Sequence, residues 1–136
     1  MRILGIDFGD RRIGLAISDP MGIIASPYST IDRKIVPDIF SEIDKIILKH
    51  NISKIVVGLP LTMKGTDSEQ TKKVREFVEE LKTKINLPIK VIDERLSSLS
   101  AQKVLVEQGI KTGHNKGEID KTAAAILLQE YLETKN

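Results

Sequence analysis

The 136-residue sequence contains no cysteine and no tryptophan, and it has only three phenylalanines and two tyrosines. Without cysteine the chain cannot form a disulfide framework, a thiolate nucleophile or a zinc-cysteine cluster. The shortage of aromatic residues argues against recognition of single strands by rows of bases stacked on rings.

Long hydrophobic runs are also absent, since no apolar segment approaches the ~20 residues that a membrane helix needs. The first residues, MRILGIDFGD, pass directly into a strand-like pattern without a secretory leader. With 40% hydrophobic and 29% charged residues, the composition is typical of a soluble globular protein. We therefore expect one cytoplasmic domain over residues 1–136, with no membrane partner.

The net charge is only +2, from 21 Lys and Arg against 19 Asp and Glu. Total charge therefore predicts no particular partner, and any affinity for phosphate groups must come from where the charges lie.

The first half of the chain has the pattern of a β-meander followed by a helix and a strand. Residues 2–8 and 12–19 form two strand-like runs around a Gly9-Asp10-Arg11 turn, and a third strand is expected at about Gly22–Ser26, before Pro27. Isoleucines recur at helical spacing between residues 37 and 50, and the apolar run at 52–59 is typical of a central strand.

The second half continues the alternation. Thr66-Asp67-Ser68-Glu69 matches a capping box before an amphipathic helix, and a strand follows at residues 89–92. A helix is expected at 98–108, a glycine-rich loop at 109–117 and a last helix at about 118–132. This order predicts an α/β domain with a mixed sheet.

Two aspartates stand out from their apolar surroundings. Asp7 interrupts a strand of apolar residues and glycine, and Gly9 and Gly14 nearby would let a phosphate approach the backbone. Asp120 lies within the apolar stripe of the last helix, where a charge is costly unless it is paired or metal-bound. The alternatives are an exposed acid at a strand end for Asp7 and an ordinary acid in the first helical turn for Asp120.

A third acidic position follows the strand at 89–92, in Asp93-Glu94-Arg95. The carboxyl ends of parallel strands commonly carry active sites. Together with Asp7 and Asp120, this block would supply an oxygen cage for Mg²⁺ or Mn²⁺, and either Asp93 or Glu94 could be the ligand. The alternative is a surface ion-pair cluster. In the loop at 109–117, the side chains of Lys111, His114 and Lys116 could meet a phosphate or could simply be solvated.

The three acidic positions lie in a set of four ordered motifs that resemble those of the YqgF or RuvX family over nearly the whole chain. The motifs are Gly5-Ile6-Asp7-Phe8-Gly9 with Arg12 and Gly14-Leu15-Ala16-Ile17-Ser18-Asp19, then Val57-Gly58-Leu59-Pro60-Leu61 with Gly65, then Asp93-Glu94-Arg95-Leu96-Ser97, and finally Asp120 with Ala123-Ala124 and Ile126-Leu127-Leu128.

The resemblance implies an RNase H-like fold and a metal-dependent nuclease that processes the 5′ end of pre-16S ribosomal RNA. It implies that Asp7, Glu94 and Asp120 bind the metal, and that Arg12 and Arg95 hold phosphates or order the acids. The implied partners are an rRNA precursor or branched DNA. A Holliday junction resolvase and a non-cleaving nucleic-acid-binding module remain alternatives. An actin-like ATPase, suggested by Asp7-Phe8-Gly9, would require a second lobe.

Overall fold

The computed structural model describes residues 1–94 and 116–134. The strands are β1 (Arg2–Phe8), β2 (Arg12–Ser18), β3 (Ala25–Asp32), β4 (Ile52–Leu59) and β5 (Ile89–Asp93). The helices are α1 (Ile39–His50), α2 (Glu69–Lys84) and α3 (Lys116–Thr134). None of these three helices is both long enough and apolar enough to cross a membrane.

The five strands form one sheet in the order β3-β2-β1-β4-β5. β1 pairs antiparallel with β2 and parallel with β4, β2 pairs antiparallel with β3, and β4 pairs parallel with β5. The predicted five-stranded mixed sheet is therefore confirmed. β1 lies at its centre and connects the antiparallel meander to the parallel half.

One face of the sheet is covered by α1 and α2 and packs almost entirely through large side chains. Alternate strand residues such as Leu4, Ile6 and Leu15 are fully buried there, because successive side chains of a strand point to opposite faces. Phe77 of α2 stacks on Phe8, with ring centroids 4.3 Å apart. This face holds the larger hydrophobic core.

The opposite face is covered by α3, which contacts β1, β2 and β3. Its core is a smaller cluster that includes several alanines, and Ala16 and Val56 of the sheet belong to it together with Ala124 and Leu128 of the helix. Small side chains on both sides let the helix axis come close to the strands. How closely the backbone of α3 can approach the strands therefore determines the position of this helix.

The third strand lies later in the chain than the sequence pattern predicts. It runs over Ala25–Asp32 and contains Pro27, whereas the expectation was about Gly22–Ser26, ending before the proline. Because β3 is an edge strand, and its register shifts between Leu15 and Ala16 of β2, a residue without an N–H is tolerated there. Gly22 instead lies in the turn, with a positive φ of 70°.

The start of α2 also differs from the prediction. Ser68 is the N-cap and Thr71 completes the capping box, so the cap lies two residues beyond Thr66. The hydroxyl of Thr66 lies 2.7 Å from that of Thr62, which keeps Thr66 in the preceding turn.

The beginning of α3 is a further difference. Lys116 is helical, although the sequence placed it in the loop at 109–117 and began the helix at about residue 118. The helix predicted at 98–108 lies outside the described residues.

Candidate active site

Asp7 lies near the end of the central strand, on the face that α3 covers. Its neighbours Ile6 and Phe8 belong to the core under α1 and α2, so strand alternation directs Asp7 to the opposite face. Directly across the antiparallel pairing, its partner on β2 is Gly14. Asp7 is partly buried.

Asp120 reaches the same place from the first part of α3. A Cβ atom built on Gly14 would lie 2.0 Å from the carbonyl oxygen of Asp120, so only glycine lets the helix rest here. The close approach that the sequence attributed to a phosphate is therefore, at Gly14, an approach of the helix backbone. Asp7 and Asp120 consequently flank one glycine.

Glu94 follows β5 and lies on the same face of the sheet. It is 7% exposed and is the one charged residue classed as buried within residues 1–94 and 119–134. A Cβ atom built on Gly58 would lie 3.1 Å from Oε2 of Glu94. Gly58 itself follows Val57, the β4 partner of Ile6, and therefore lies beside the Asp7 position.

The adjacent Asp93 is placed differently from Glu94. It pairs with Leu59, whose side chain belongs to the core under α1 and α2. Asp93 thus follows the alternation of Ile89 and Val91, away from α3. Between the two acids that the sequence left open, Glu94 is the one beside Gly58.

Arg12 connects the sheet directly to one of the acids. Its Nε donates a hydrogen bond to Oδ2 of Asp120 at 2.7 Å, and the two side chains are 27% and 26% exposed. The sequence analysis gave Arg12 two possible roles, and this contact matches the ordering of an acid. It also explains how a carboxylate is accommodated beside the apolar stripe of α3.

The chemistry of these acids fits a hard divalent cation. All their donor atoms are carboxylate oxygens, the type that Mg²⁺ and Mn²⁺ prefer, and the missing side chain at Gly58 lets the carboxylate of Glu94 lie against β4. Within the described part of the chain, however, no three Asp, Glu or His side chains are close enough together to hold one metal ion. The acids share a region of the sheet, with Asp120 engaged by Arg12.

Several predicted substrate contacts cannot be placed. Arg95, Lys111 and His114 lie outside the described residues, and Lys116 is located only as part of α3. Their contacts with phosphates stay predictions. His50, the other histidine, is the last residue of α1, and its Nε2 lies 3.0 Å from the hydroxyl of Tyr28 in β3.

Comparison with known proteins identifies the family. A family model described as "RuvX: Holliday junction resolvase" matches residues 1–134. The chain belongs to the RuvX family. A relative from Desulforamulus reducens, named "Putative pre-16S rRNA nuclease", is 43% identical over 134 residues, covering 98% of each chain. The relative of the same name from Halothermothrix orenii is 43% identical over 136 residues, covering 100% of this chain and 97% of its own.

Solved structures agree with this membership at the level of the fold. RuvC of T. thermophilus, in complex with a Holliday junction substrate, superposes with a TM-score of 0.61 at 13% identity, over 99% of this chain and 96% of its own. The fowlpox virus resolvase, complexed with junction DNA, gives a TM-score of 0.57 at 12% identity and covers 98% of both chains. The predicted RNase H-like fold and RuvX membership are confirmed.

Proposed function

We propose that this protein is a metal-dependent nuclease that hydrolyses phosphodiester bonds in a ribosomal RNA precursor, at the 5′ end of pre-16S rRNA. The proposal rests on one observation above all. Asp7, Glu94 and Asp120 come from three distant parts of the chain to the face under α3, around Gly14 and Gly58. A single domain acting in the cytoplasm is part of the proposal.

The acids would hold one or two Mg²⁺ or Mn²⁺ ions, which when bound would activate water and stabilise negative charge on the phosphate. The chain's own contribution is placement: Gly14 and Gly58 let α3 and Glu94 lie against the strands, on the face of the sheet that also carries Asp7. Arg12 supplies positive charge at the same position. We further propose that Arg95, Lys111, His114 and Lys116 contact the substrate backbone, where cations position nucleic acid without reading sequence.

The central experiment replaces Asp7 with asparagine, which preserves shape but removes a charged ligand. Cleavage of a pre-16S rRNA fragment should fall to background, and EDTA should have the same effect on the wild type. Asp10→Asn is the matched control, because Asp10 lies three residues away on the exposed turn and pairs with Lys73 at 3.1 Å. Asp10→Asn should cleave like the wild type, and all variants should melt cooperatively.

Persistence of cleavage in EDTA, or in folded Asp7→Asn free of contaminating nuclease, would reject the mechanism. A second pair of variants separates the neighbouring acids. Glu94→Gln should lose cleavage and Asp93→Asn should keep most of it, because Glu94 contacts the Gly58 position while Asp93 alternates to the other face. The reverse result would identify Asp93, and not Glu94, as the third metal ligand.

A Holliday junction resolvase is the second candidate, favoured by the description of the family model and by the fold shared with RuvC. The same purified protein should be given the rRNA precursor and a four-way DNA junction side by side, with Mn²⁺. Faster cleavage of the precursor supports the proposed function. Symmetric cleavage of the junction alone would replace it with resolution.

A further inference from the structure

We propose that Arg12 is a positioning residue that holds Asp120 until a divalent cation binds, and that cation binding releases its guanidinium to a substrate phosphate. Occupation of the metal site would thereby prepare the substrate site. This inference rests on the proposed metal-dependent function and adds to it an order of events. The observation that supports it is the hydrogen bond between Arg12 and Asp120, two residues that lie 108 positions apart in the sequence.

The contact is stronger than an ordinary surface ion pair. Nε of Arg12 lies 2.7 Å from Oδ2 of Asp120, and both side chains are about three-quarters buried. The neighbouring Arg11 lies 3.7 Å from Asp32, and its side chain is 54% exposed. Charge-assisted hydrogen bonds that are shielded from solvent are stronger than exposed ones. Asp120 is therefore held in one arrangement by Arg12.

A divalent cation and Arg12 cannot both use Asp120 without cost. Oδ2, one of the two carboxylate oxygens of Asp120, already accepts a hydrogen bond from Arg12, and two positive groups sharing one carboxylate repel each other. Arg12 therefore competes with the cation.

Release of the side chain does not require the sheet to move. Arg12 is the first residue of β2, and its carbonyl oxygen accepts a hydrogen bond from Gly9 at 3.0 Å, which fixes its backbone. Only the flexible side chain needs to swing. A freed guanidinium at this end of the strand presents several N–H donors in a plane, the geometry that suits a phosphate.

The test measures Mn²⁺ binding by titration calorimetry without nucleic acid, in the wild type, Arg12→Gln and Arg11→Gln. The matched control removes the same charge from the adjacent residue, which pairs with Asp32 instead. We expect Arg12→Gln to bind Mn²⁺ about tenfold more tightly, the change that ~1.4 kcal/mol produces. Arg11→Gln should stay within about twofold, and Arg12→Lys, which keeps the charge, should lie near the wild type.

A second measurement follows the released guanidinium. Binding of a fluorescent single-stranded RNA is compared in EDTA and in Ca²⁺, a cation that also takes oxygen ligands. Addition of Ca²⁺ should strengthen RNA binding by the wild type and by Arg11→Gln, and Arg12→Gln should lose most of that gain. A residue with only a structural role would not change this difference between conditions.

The outcomes separate the two proposals. If the wild type binds Mn²⁺ but Arg12→Gln binds it equally or more weakly, the competition is wrong and the nuclease proposal stands. If the Ca²⁺-dependent gain is the same in all three proteins, the transfer of the guanidinium to phosphate is wrong. If the wild type binds no Mn²⁺, the metal-dependent function fails, and this inference fails with it.

Discussion

The two faces of the sheet are built on opposite principles. Under α1 and α2, alternate residues such as Leu4, Ile6 and Leu15 fill the space with large side chains that are fully buried. Under α3, Gly14 and Gly58 occupy equivalent alternate positions and have no side chain at all. One face gains stability by burying apolar area, and the other gives up that area so that backbone and carboxylates can come close.

Because of this difference, neighbouring residues of one strand contribute either to stability or to the candidate site. Leu15 and Gly14 are neighbours on β2 and yet serve different purposes, because alternation points them to opposite faces. A substitution on the first face should reduce the free energy of unfolding and spare the chemistry of the folded molecules. A substitution on the second face should damage the chemistry more than the stability.

The largest loss of stability is expected from Leu15→Ala. Leu15 is 0% exposed, and removal of such a side chain leaves a cavity that costs about 2 to 5 kcal/mol. Urea unfolding should show this loss, whereas the folded fraction should retain wild-type Mn²⁺ affinity. Leu48→Ala is the control, because Leu48 of α1 is 73% exposed and should change stability by less than about 0.5 kcal/mol. Similar costs for the two variants would contradict the packing of the first face.

Gly14→Ala should have the next largest effect and, unlike Leu15→Ala, should abolish cleavage. The added methyl would lie 2.0 Å from the carbonyl oxygen of Asp120, so α3 must move away. Overpacking of this kind lowers the free energy of unfolding by about 1 to 3 kcal/mol. This loss outweighs the stabilisation of up to ~1 kcal/mol that alanine provides by reducing the conformational entropy of the unfolded chain. The measurements are urea unfolding and cleavage of the rRNA fragment. A fully active Gly14→Ala protein would show that α3 need not rest on this strand.

Gly58→Ala should change stability little and activity clearly. Its methyl would lie 3.0 Å from Cδ of Glu94 and 3.0 Å from Cδ2 of Leu127. Both are side-chain atoms that can shift by a few tenths of an ångström, so the cost should be below about 1 kcal/mol. The displaced Glu94 should weaken Mn²⁺ binding about tenfold, as the loss of supporting contacts does at metal sites. If calorimetry gives Gly58→Ala the Mn²⁺ affinity of the wild type, Glu94 does not belong to the metal site.

The smallest effect is expected at the far end of β2, where an acid is satisfied by the chain itself. Backbone N–H groups of Ile24 and Ile23 donate to the Asp19 carboxylate and hold its pKa below the ordinary value of 3.8. A lowered pKa in the folded state stabilises the protein above the unfolded value, and this is lost as the pH falls. Asp19→Asn should therefore lower Tm slightly at pH 7, and the difference should shrink below a pH of about 4.

An Asp19→Asn difference that persists unchanged at pH 3 would contradict the direction of that pKa shift. Melting of the wild type with and without Mn²⁺ distinguishes Asp19 from the three acids of the candidate site. Asp19 should contribute to the melting temperature without any effect of Mn²⁺, whereas Mn²⁺ should raise Tm through the three carboxylates with the logarithm of its concentration once the site is saturated.

The sequence predicted most of the sheet because its periodicities are local. Strands β1, β2, β4 and β5 and helices α1 and α2 lie close to their predicted positions, since apolar spacing alone defines which face is buried. The prediction failed for β3, where Pro27 was interpreted as a stop although an edge strand tolerates it. It also failed for the α2 cap, where two neighbouring hydroxyl residues could serve and tertiary contacts decide.

For the candidate site, the sequence singled out the acids but not the glycines that let α3 and Glu94 lie against the strands. Asp7 and Asp120 were conspicuous because a charge interrupts an apolar pattern. The role of Gly14 was misassigned and that of Gly58 was missed, because a glycine in a strand does not reveal which distant atom approaches it. The choice of Asp120 as the partner of Arg12 likewise depends on a contact 108 residues apart, which no local pattern encodes.

The separation between Arg12 and Asp120 has a consequence for how the molecule is assembled. Contacts between residues distant in sequence form slowly, because the loop-closure entropy must be paid before they contribute. The meander, α1, β4 and α2 can bury the larger core without α3, which joins only the smaller core. In a chain in which α3 has not yet docked, Asp7 is therefore in place but Asp120 is not. Nuclease activity should consequently appear only in the last folding step, after the protein has become compact.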